Sequence, residues 1–191
     1  DAGNPCVFVQ ARDLGLTGTE MPDEIQRNPQ ILESLEAVRC QASVSMGIAQ
    51  DIGEASRIPG IPKVAFLSPA QDMTTLAGET VSAAECDILV RMISLGQPHR
   101  AIPVTGALCV AVAARVDGSL VSRMFDTTRC GSELRLAHPS GVTNVDARLE
   151  QREGNWYAAS VTIYRTARRL MDGYVYVPAA RTSGLGSVLG S

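Results

Sequence analysis

The sequence contains few aromatic, lysine and histidine residues. Aromatic side chains account for 4% of the 191 residues, Lys63 is the single lysine beside sixteen arginines, and two histidines are present. The formal net charge is −3, so the chain lacks the excess of basic residues that nucleic-acid-binding domains carry. No apolar run reaches the roughly 18 residues that a transmembrane helix requires. We therefore expect neither nucleic acid nor a membrane among its partners.

The cysteines are few and widely spaced. They occur at positions 6, 40, 86, 109 and 130, an odd number with no pair close enough for a zinc knuckle and no pattern typical of a disulfide framework. This usage favours a reducing cytoplasm. Because the sequence also has no nucleotide-binding loop and no cluster of metal ligands, we expect no cofactor and no metal. Cys109 lies within an apolar helix pattern and is expected to be a structural residue that faces the core.

The remaining composition is that of a folded α+β domain. Hydrophobic residues make up 45% and charged residues 19% of the chain, which excludes a disordered protein. Apolar periodicity predicts a long amphipathic helix from Pro29 to Ile52, capped by Asn28, and a buried helix at Thr105–Arg115. Residues 181–191 are rich in Gly and Ser and are predicted to form a flexible tail. Short apolar or alternating runs predict strands at 5–10, 63–67, 87–95, 134–137, 142–149, 156–164 and 174–177.

The segment Ser94–Ala107 is the most informative candidate for a binding site. It runs from a strand through a loop containing Gly96 to the start of the predicted buried helix. The first amides of that helix, at Thr105, Gly106 and Ala107, have no acceptor within the helix and lie at the positive end of its dipole. Such a corner suits a carboxylate or a phosphate.

Two residues just before this helix could add to the site. Arg100 could hold a carboxylate with two hydrogen bonds, and His99 adds a titratable group next to it. Gly106 would let a ligand approach the backbone closely. The alternative interpretation is an ordinary loop, in which Thr105 caps a core helix and His99 has no catalytic role.

Three other motifs have both a structural and a functional interpretation. Asn4, in DAGNP, could hold a substrate carboxylate or carbonyl with its amide, although Asn-Pro before a strand is also a turn signal. The segment His138–Gly141 is favoured as a hairpin turn between two strands. The arginines Arg165, Arg168 and Arg169 could grip a polycarboxylate, but a solvated face is the favoured interpretation.

Six segments of the chain, taken in order, resemble one family. They are DAGNPCVFV, LESLEAVRCQASVSMGIA, PKVAFLSPA, GQPHRAIPVTGALCVAVAAR, LAHPSGVTNV and RTARRLMDGYVYVP, and together they resemble the PrpF family. Its members are 2-methylaconitate cis-trans isomerases, 4-oxalomesaconate tautomerases and related aconitate isomerases. The resemblance implies the diaminopimelate epimerase-like fold. In that fold, two lobes each wrap a mostly antiparallel sheet around a central helix, and the active site lies between them.

The resemblance also implies a place for this chain in the two-lobe protein. Residues 1–180 look like the C-terminal lobe, whose partner is an N-terminal lobe, and Thr105–Arg115 looks like its central helix. The start of that helix corresponds to the element that cradles a carboxylate, and Asn4 corresponds to a position that contacts substrate. The predicted substrate-binding set is Asn4, Ser94, Gly96, His99, Arg100, Thr105, Gly106 and Ala107.

No catalytic residue is expected in this chain. Epimerases of this fold place a catalytic cysteine just before the helix start, where this sequence has Pro103 and Val104, so racemisation by two thiols is not favoured. The PrpF family is similar in lacking that cysteine. Its acid and base, a lysine and a cysteine, belong to the N-terminal lobe, and no motif match equates Lys63 with that lysine.

The implied activity is the isomerisation of an unsaturated tricarboxylic acid without a cofactor. A base would remove a proton from the allylic carbon to give a dienolate, and the proton would return after rotation or at the other end of the three-carbon unit. A polycarboxylate is the expected ligand, and a homodimer is a further expectation. Two alternatives remain open: an amino-acid racemase or epimerase on the same fold, and a non-catalytic carboxylate-binding or scaffold protein.

Overall fold

The chain folds into a mixed α+β structure, as the sequence predicts. The computed structural model describes residues 1–124, 133–165 and 167–176. Among these residues, no helix is both long and apolar enough to cross a membrane. The helices are α1 (Pro22–Gln26), α2 (Pro29–Ser45), α3 (Ile52–Arg57) and α4 (Val104–Arg115), with a 3-10 turn at Ala11–Leu14. The strands are β1 (Cys6–Gln10), β2 (Lys63–Pro69), β3 (Met73–Thr74), β4 (Thr80–Val81), β5 (Ile88–Ser94), β6 (Gln97–Pro98), β7 (Leu134–His138), β8 (Gly141–Arg152) and β9 (Asn155–Ile163).

One mixed sheet organises the described chain. Its strands lie in the order β1–β2–β5–β7–β8–β9, and β6 pairs with β5 at one end. The pairings β1–β2 and β5–β7 are parallel, and the other four pairings of this sheet are antiparallel. The strands β3 and β4 form a separate small ribbon. The mostly antiparallel sheet predicted from the resemblance is therefore confirmed.

The helix α4 packs against one face of this sheet. On β2, Ala65 and Leu67 belong to the cluster of buried residues that includes Ala107, Val110 and Ala111 of α4. Since successive residues of a strand point to opposite faces, this contact uses every second residue of β2. The sequence of α4, VTGALCVAVAAR, is almost entirely apolar, and the side of the helix that faces the sheet is buried. The predicted buried helix is confirmed, and it starts one residue earlier than expected.

The opposite face of the sheet is covered by α2. Val64 and Phe66, the alternate residues of β2, pack with Leu35 of α2 in a second buried cluster. The predicted cap is present, because the Asn28 side chain accepts a hydrogen bond from the amide of Ile31 at 3.3 Å, with Pro29 in the first helical position.

The end of α2 differs from the sequence prediction. The helix was expected to reach Ile52, but it ends at Ser45, and Gly47 follows with a φ of +70°. A glycine in the left-handed conformation is a common way to stop a helix. The apolar pattern continued past this point because Ala49 is still buried, although it lies in the turn that leads to α3.

The C-terminal part of the described chain confirms one prediction and corrects another. His138–Gly141 is a hairpin turn, with His138 paired to Gly141 across β7 and β8. The strand predicted at 174–177 is wrong for its described residues, 174–176. Tyr174 and Tyr176 are each 96% exposed and do not belong to a strand. A strand needs a neighbour for its backbone groups. Val177, the rest of the predicted domain to residue 180, and the tail at 181–191 lie outside the described residues.

Candidate functional site

The start of α4 presents free backbone amides. Pro103 precedes the helix in an extended conformation, and no side chain caps the helix. The first helical hydrogen bond runs from the amide of Ala107 to the carbonyl oxygen of Pro103, at 2.9 Å. The amides without a helical acceptor are therefore those of Val104, Thr105 and Gly106. This corrects the predicted set, since Ala107 uses its amide within the helix and Val104 takes its place. It also excludes Thr105 as the cap.

The segment before β1 runs beside this helix start. A side chain at Gly3 would lie 3.8 Å from the Cγ2 atom of Thr105, and Gly3 has a φ of +112°, which favours glycine. The next residue, Asn4, is held through its backbone carbonyl oxygen, which lies 2.9 Å from the Sγ atom of Cys109. The structure therefore places Gly3 beside Thr105 and places Asn4 beside Cys109, further along α4.

The side chain of Asn4 has an unsatisfied polar atom. Its Oδ1 atom is buried, yet it has no hydrogen-bond partner among the described residues. Buried polar groups are nearly always paired in folded proteins, because an unpaired one costs about 1–3 kcal/mol. An orphan atom of this kind next to free amides is a feature of sites that a ligand completes.

His99 is linked to the start of α4 through Met92 of β5. The residues Leu95 and Gly96 both have positive φ and turn the chain from β5 into β6, after which the amide of His99 donates to the carbonyl oxygen of Met92 at 2.8 Å. Met92 in turn packs against Gly106 in the first turn of α4. The Nε2 atom of His99 is buried without a partner among the described residues, so it is a second orphan polar atom.

The electrostatics keep the His99 ring neutral. Burial lowers the pKa of His99, because a charged imidazolium loses its hydration, and the positive charge of Lys63 lowers it further. Lys63 begins β2, opposite Cys6 of β1. The sequence interpretation left Lys63 out of the site. Only the strand pairing, which a single sequence does not display, brings its charge near His99.

The absent side chain of Gly106 faces the buried core rather than a ligand. A Cβ atom built at Gly106 would collide with Met92 on β5, lying 2.6 Å from its Cε atom and closer still to its sulfur. The missing side chain thus faces the buried core, where Met92 is 2% exposed. This corrects the expectation that the absent side chain leaves room for an anion.

The structure does not bring the rest of the predicted set to the helix start. Ser94 and Gly96 border a cavity of about 530 Å³ on the α2 side, which is also lined by Leu32 and Arg39. The guanidinium of Arg100 lies 3.7 Å from a carboxylate oxygen of Asp23, and its side chain is 65% exposed. Arg100 is therefore a surface residue in an ion pair, not the inward clamp that the sequence suggested.

The remaining candidate residues are either exposed to solvent or held by contacts within the fold. Arg165, Arg168 and Arg169 are exposed, and Arg169 pairs with Asp172 at 3.2 Å, as expected of a solvated face. His138 is buried, and its Nε2 atom lies 2.9 Å from the hydroxyl oxygen of Thr143. Within the described ranges, no group of three or more His, Cys, Asp or Glu side chains is arranged to hold a metal ion.

The arrangement at the start of α4 is suited to holding an anion. Three amides of the helix N-terminus offer hydrogen bonds at the positive end of the dipole. The neutral imidazole of His99 and the carboxamide of Asn4 each have one unpaired buried atom, and the positive charge of Lys63 acts on His99. We call Asn4, Lys63, His99, Val104 and Thr105 the helix-start site.

Known proteins share the sequence of this chain along most of its length. The family model described as PrpF protein matches residues 1–178. The chain is 37% identical over 181 residues to a protein named 2-methyl-aconitate isomerase from Shewanella oneidensis, an alignment that covers 93% of this chain and 45% of that protein. It is 34% identical over 183 residues to a protein named 3-methylitaconate isomerase from Eubacterium barkeri, with coverage of 95% and 47%.

A solved structure shares the fold. The crystal structure of methylitaconate-delta-isomerase matches this chain with a TM-score of 0.78 and 36% identity, over 94% of this chain and 46% of the other. The chain thus spans about half the length of the curated relatives it matches. The match of the family model over nearly all of the sequence, together with these relatives, shows that the chain belongs to the PrpF family and has its diaminopimelate epimerase-like fold.

Proposed function

We propose that this chain is the carboxylate-binding lobe of an isomerase that acts on an unsaturated tricarboxylic acid of the methylaconitate type. The observation that carries the proposal is the pair of buried, unpaired polar atoms, Asn4 Oδ1 and His99 Nε2, beside the free amides of α4. The relative named 2-methyl-aconitate isomerase supports a tricarboxylic substrate, and the relative named 3-methylitaconate isomerase supports an unsaturated polycarboxylic acid more generally.

Each group of the helix-start site has a role in this proposal. The amides of Val104 and Thr105 donate to one carboxylate of the substrate. His99 carries its proton on Nε2 and donates without being charged. A half-turn of the Asn4 side-chain amide places its NH₂ group where Oδ1 lies, since the two ends of an amide are interchangeable in shape. The ammonium of Lys63 favours a polyanion over a neutral molecule by its charge alone.

The chemistry follows from the acidity of an allylic proton next to carboxylates. Its removal gives a dienolate, and the negative charge spreads onto a carboxylate oxygen. Amides that are already aimed at that oxygen stabilise the added charge without reorganising, which lowers the barrier. In the proposal this chain supplies those donors. The acid and the base that move the proton lie in the N-terminal lobe, as the family resemblance implies.

A binding experiment tests the helix-start site. Isothermal titration calorimetry of the purified protein with trans-aconitate gives the affinity, and acetate serves as the ligand control. His99→Phe and Asn4→Leu each remove one polar contact of about 1.5–3 kcal/mol, so each should weaken binding by roughly ten- to a hundredfold. Arg165→Ala is the matched surface control and should leave the affinity unchanged. Equal affinity for all four proteins would place the anion elsewhere and reject the site.

A turnover experiment tests the assignment of the acid and base. The isolated chain and a two-lobe protein, made by joining the chain to the N-terminal half of a PrpF relative, are incubated with 2-methylaconitate in deuterated water. Nuclear magnetic resonance should detect isomerisation and deuterium uptake only with the two-lobe protein. Clear turnover by the isolated chain would show that the acid and base lie within these residues. Exchange at the α-carbon of an amino acid instead would favour the racemase alternative.

A further inference from the structure

Two cysteines meet between β1 and α4, although they are far apart in the sequence. Cys6 is the first residue of β1, and Cys109 lies in the second turn of α4. The Sγ atom of Cys6 is 3.5 Å from the backbone carbonyl oxygen of Asn4, and that of Cys109 is 2.9 Å from the same oxygen. Both sulfur atoms are thus immediate neighbours within one small cluster.

The surroundings of the two sulfur atoms are unequal. The backbone amide of Ala2 donates to Cys109 Sγ at 3.2 Å. The interaction with Cys6, together with this amide, lowers the pKa of Cys109, whereas the interaction with Cys109 and burial raise the pKa of Cys6. The contact of Cys109 with the Asn4 carbonyl opposes the shift because it favours the thiol. On balance Cys109 is the sulfur that ionises first, with Cys6 as the proton-bearing neighbour.

A small cavity opens onto both thiols. Its volume is about 260 Å³, and its lining includes Cys6 and Cys109 together with Phe8, Val112 and Val116. Cys109 is only 4% exposed, so a bulky thiol reagent is excluded, as expected of a residue that faces the core. A molecule of a few atoms fits this space. The geometry therefore selects small oxidants over large ones.

We propose that Cys6 and Cys109 are a redox-active pair that hydrogen peroxide converts into a disulfide, and that this bond weakens anion binding at the start of α4. The Cys109 thiolate attacks one peroxide oxygen, which breaks the O–O bond, forms a sulfenic acid and releases hydroxide. The Cys6 sulfur then attacks the Cys109 sulfur, forming the S–S bond and expelling the second hydroxide, which takes up the Cys6 proton. Two thiols are oxidised, and one peroxide is reduced to water.

The effect on binding follows from the position of Asn4. Both thiols contact its backbone carbonyl oxygen, and its side chain belongs to the helix-start site. A disulfide requires the two sulfur atoms to approach to about 2.05 Å, and it removes both S–H donors from that carbonyl. The segment that carries Asn4 must then move relative to α4. This second part of the proposal rests on the proposed function, whereas the formation of the disulfide does not.

The experiment uses the purified protein, reduced and then treated with hydrogen peroxide. Intact mass should fall by two hydrogen atoms without added oxygen, and peptide mapping should identify a Cys6–Cys109 cross-link that dithiothreitol reverses. Calorimetric affinity for trans-aconitate should weaken by roughly tenfold on oxidation, the usual size of a coupling between two sites, and should recover on reduction. A disulfide-based reagent such as dithionitrobenzoate should modify both residues far more slowly than it modifies a small free thiol.

Variants separate the two parts of the proposal. Cys109→Ser and Cys6→Ser should abolish the cross-link and the oxidation effect, whereas Cys86→Ser, a buried cysteine in another cluster, should retain both. In the parent protein, a stable sulfonic acid or a cross-link to another cysteine would overturn the redox pair. This test does not depend on whether the serine variants fold. An unchanged affinity after complete cross-linking would overturn the coupling. If the reduced protein fails to bind the anion while the disulfide still forms, the proposed function fails and the redox pair stands.

Discussion

The stability of the folded chain should fall in mildly acidic solution because His138 is held neutral. The ring accepts a hydrogen bond from the amide of Ser140 at its Nδ1 atom, at 3.2 Å, so its proton sits on Nε2, which faces Thr143. Burial and, to a smaller extent, the positive charge of Arg91 together lower the pKa of His138 from 6.5 to about 4. Arg91 itself is fully buried and donates to the backbone carbonyl oxygen of Glu20.

The size of the effect follows from linkage. Below about pH 6.5 the unfolded chain binds a proton at His138, whereas the folded chain does not until the pH approaches 4. The unfolded state is therefore favoured as the pH falls through this window, and the effect levels off below the folded pKa. The full shift corresponds to about 3 kcal/mol, of which about 2 kcal/mol should be lost between about pH 7 and about pH 4.5.

The assay is urea unfolding, followed by far-ultraviolet circular dichroism, of the parent chain and of His138→Gln. Glutamine keeps a donor for Thr143 and an acceptor for Ser140 but does not titrate. Other groups that titrate in this range, His99 among them, are present in both proteins and cancel in the difference. The parent should lose about 2 kcal/mol more than the variant on acidification. An equal loss in both proteins would refute the reasoning, because it would mean that the folded ring accepts a proton freely.

Three further predictions concern packing and the site. In Arg39→Met, the backbone carbonyl oxygens that accept hydrogen bonds from this buried guanidinium lose their partners. The free energy of unfolding, measured with urea or heat, should fall by about 3–5 kcal/mol. Arg57→Met, at an exposed position, should change it little. Gly106→Ala should destabilise by about 1–3 kcal/mol through the collision with Met92, and the double variant with Met92→Ala should be less destabilised than the two single changes together. Arg100→Ala should leave the calorimetric affinity for trans-aconitate within about twofold, because the exposed guanidinium pairs with Asp23 at the surface rather than with the ligand; a tenfold loss would place the guanidinium in the site.

The main elements of the fold could be predicted because their signals are local. The helix α4 is apolar around its whole circumference, which only a buried helix tolerates, and Asn28-Pro29 is a start signal that acts through its own backbone. The end of α2 could not be read from periodicity. Ala49 remains buried after the helix has stopped, so the apolar spacing continues across the turn at Gly47.

The site was only partly predictable because its members are positioned by contacts between distant segments. The free amides of Thr105 and Gly106 follow from the helix start, and the DAGNP motif directed attention to Asn4, whose Oδ1 atom is buried without a partner among the described residues. Lys63 was excluded for lack of a motif, and it is placed near His99 by strand pairing. The direction of the Arg100 side chain depends on Asp23 of α1, and nothing in the sequence near Arg100 indicates that partner.

Gly106 illustrates how a residue can be singled out for a reason that the structure does not support. A glycine in the first turn of a helix at a presumed anion site suggests room for a ligand, yet its open side faces Met92, which is buried on β5. Close packing at this point seats the helix start against the strand whose carbonyl group at Met92 holds the amide of His99. The glycine thus lets α4 pack closely on the strand that holds the backbone of His99. A substitution that lifts the helix from β5 should disturb anion binding through position, while the amides themselves stay intact.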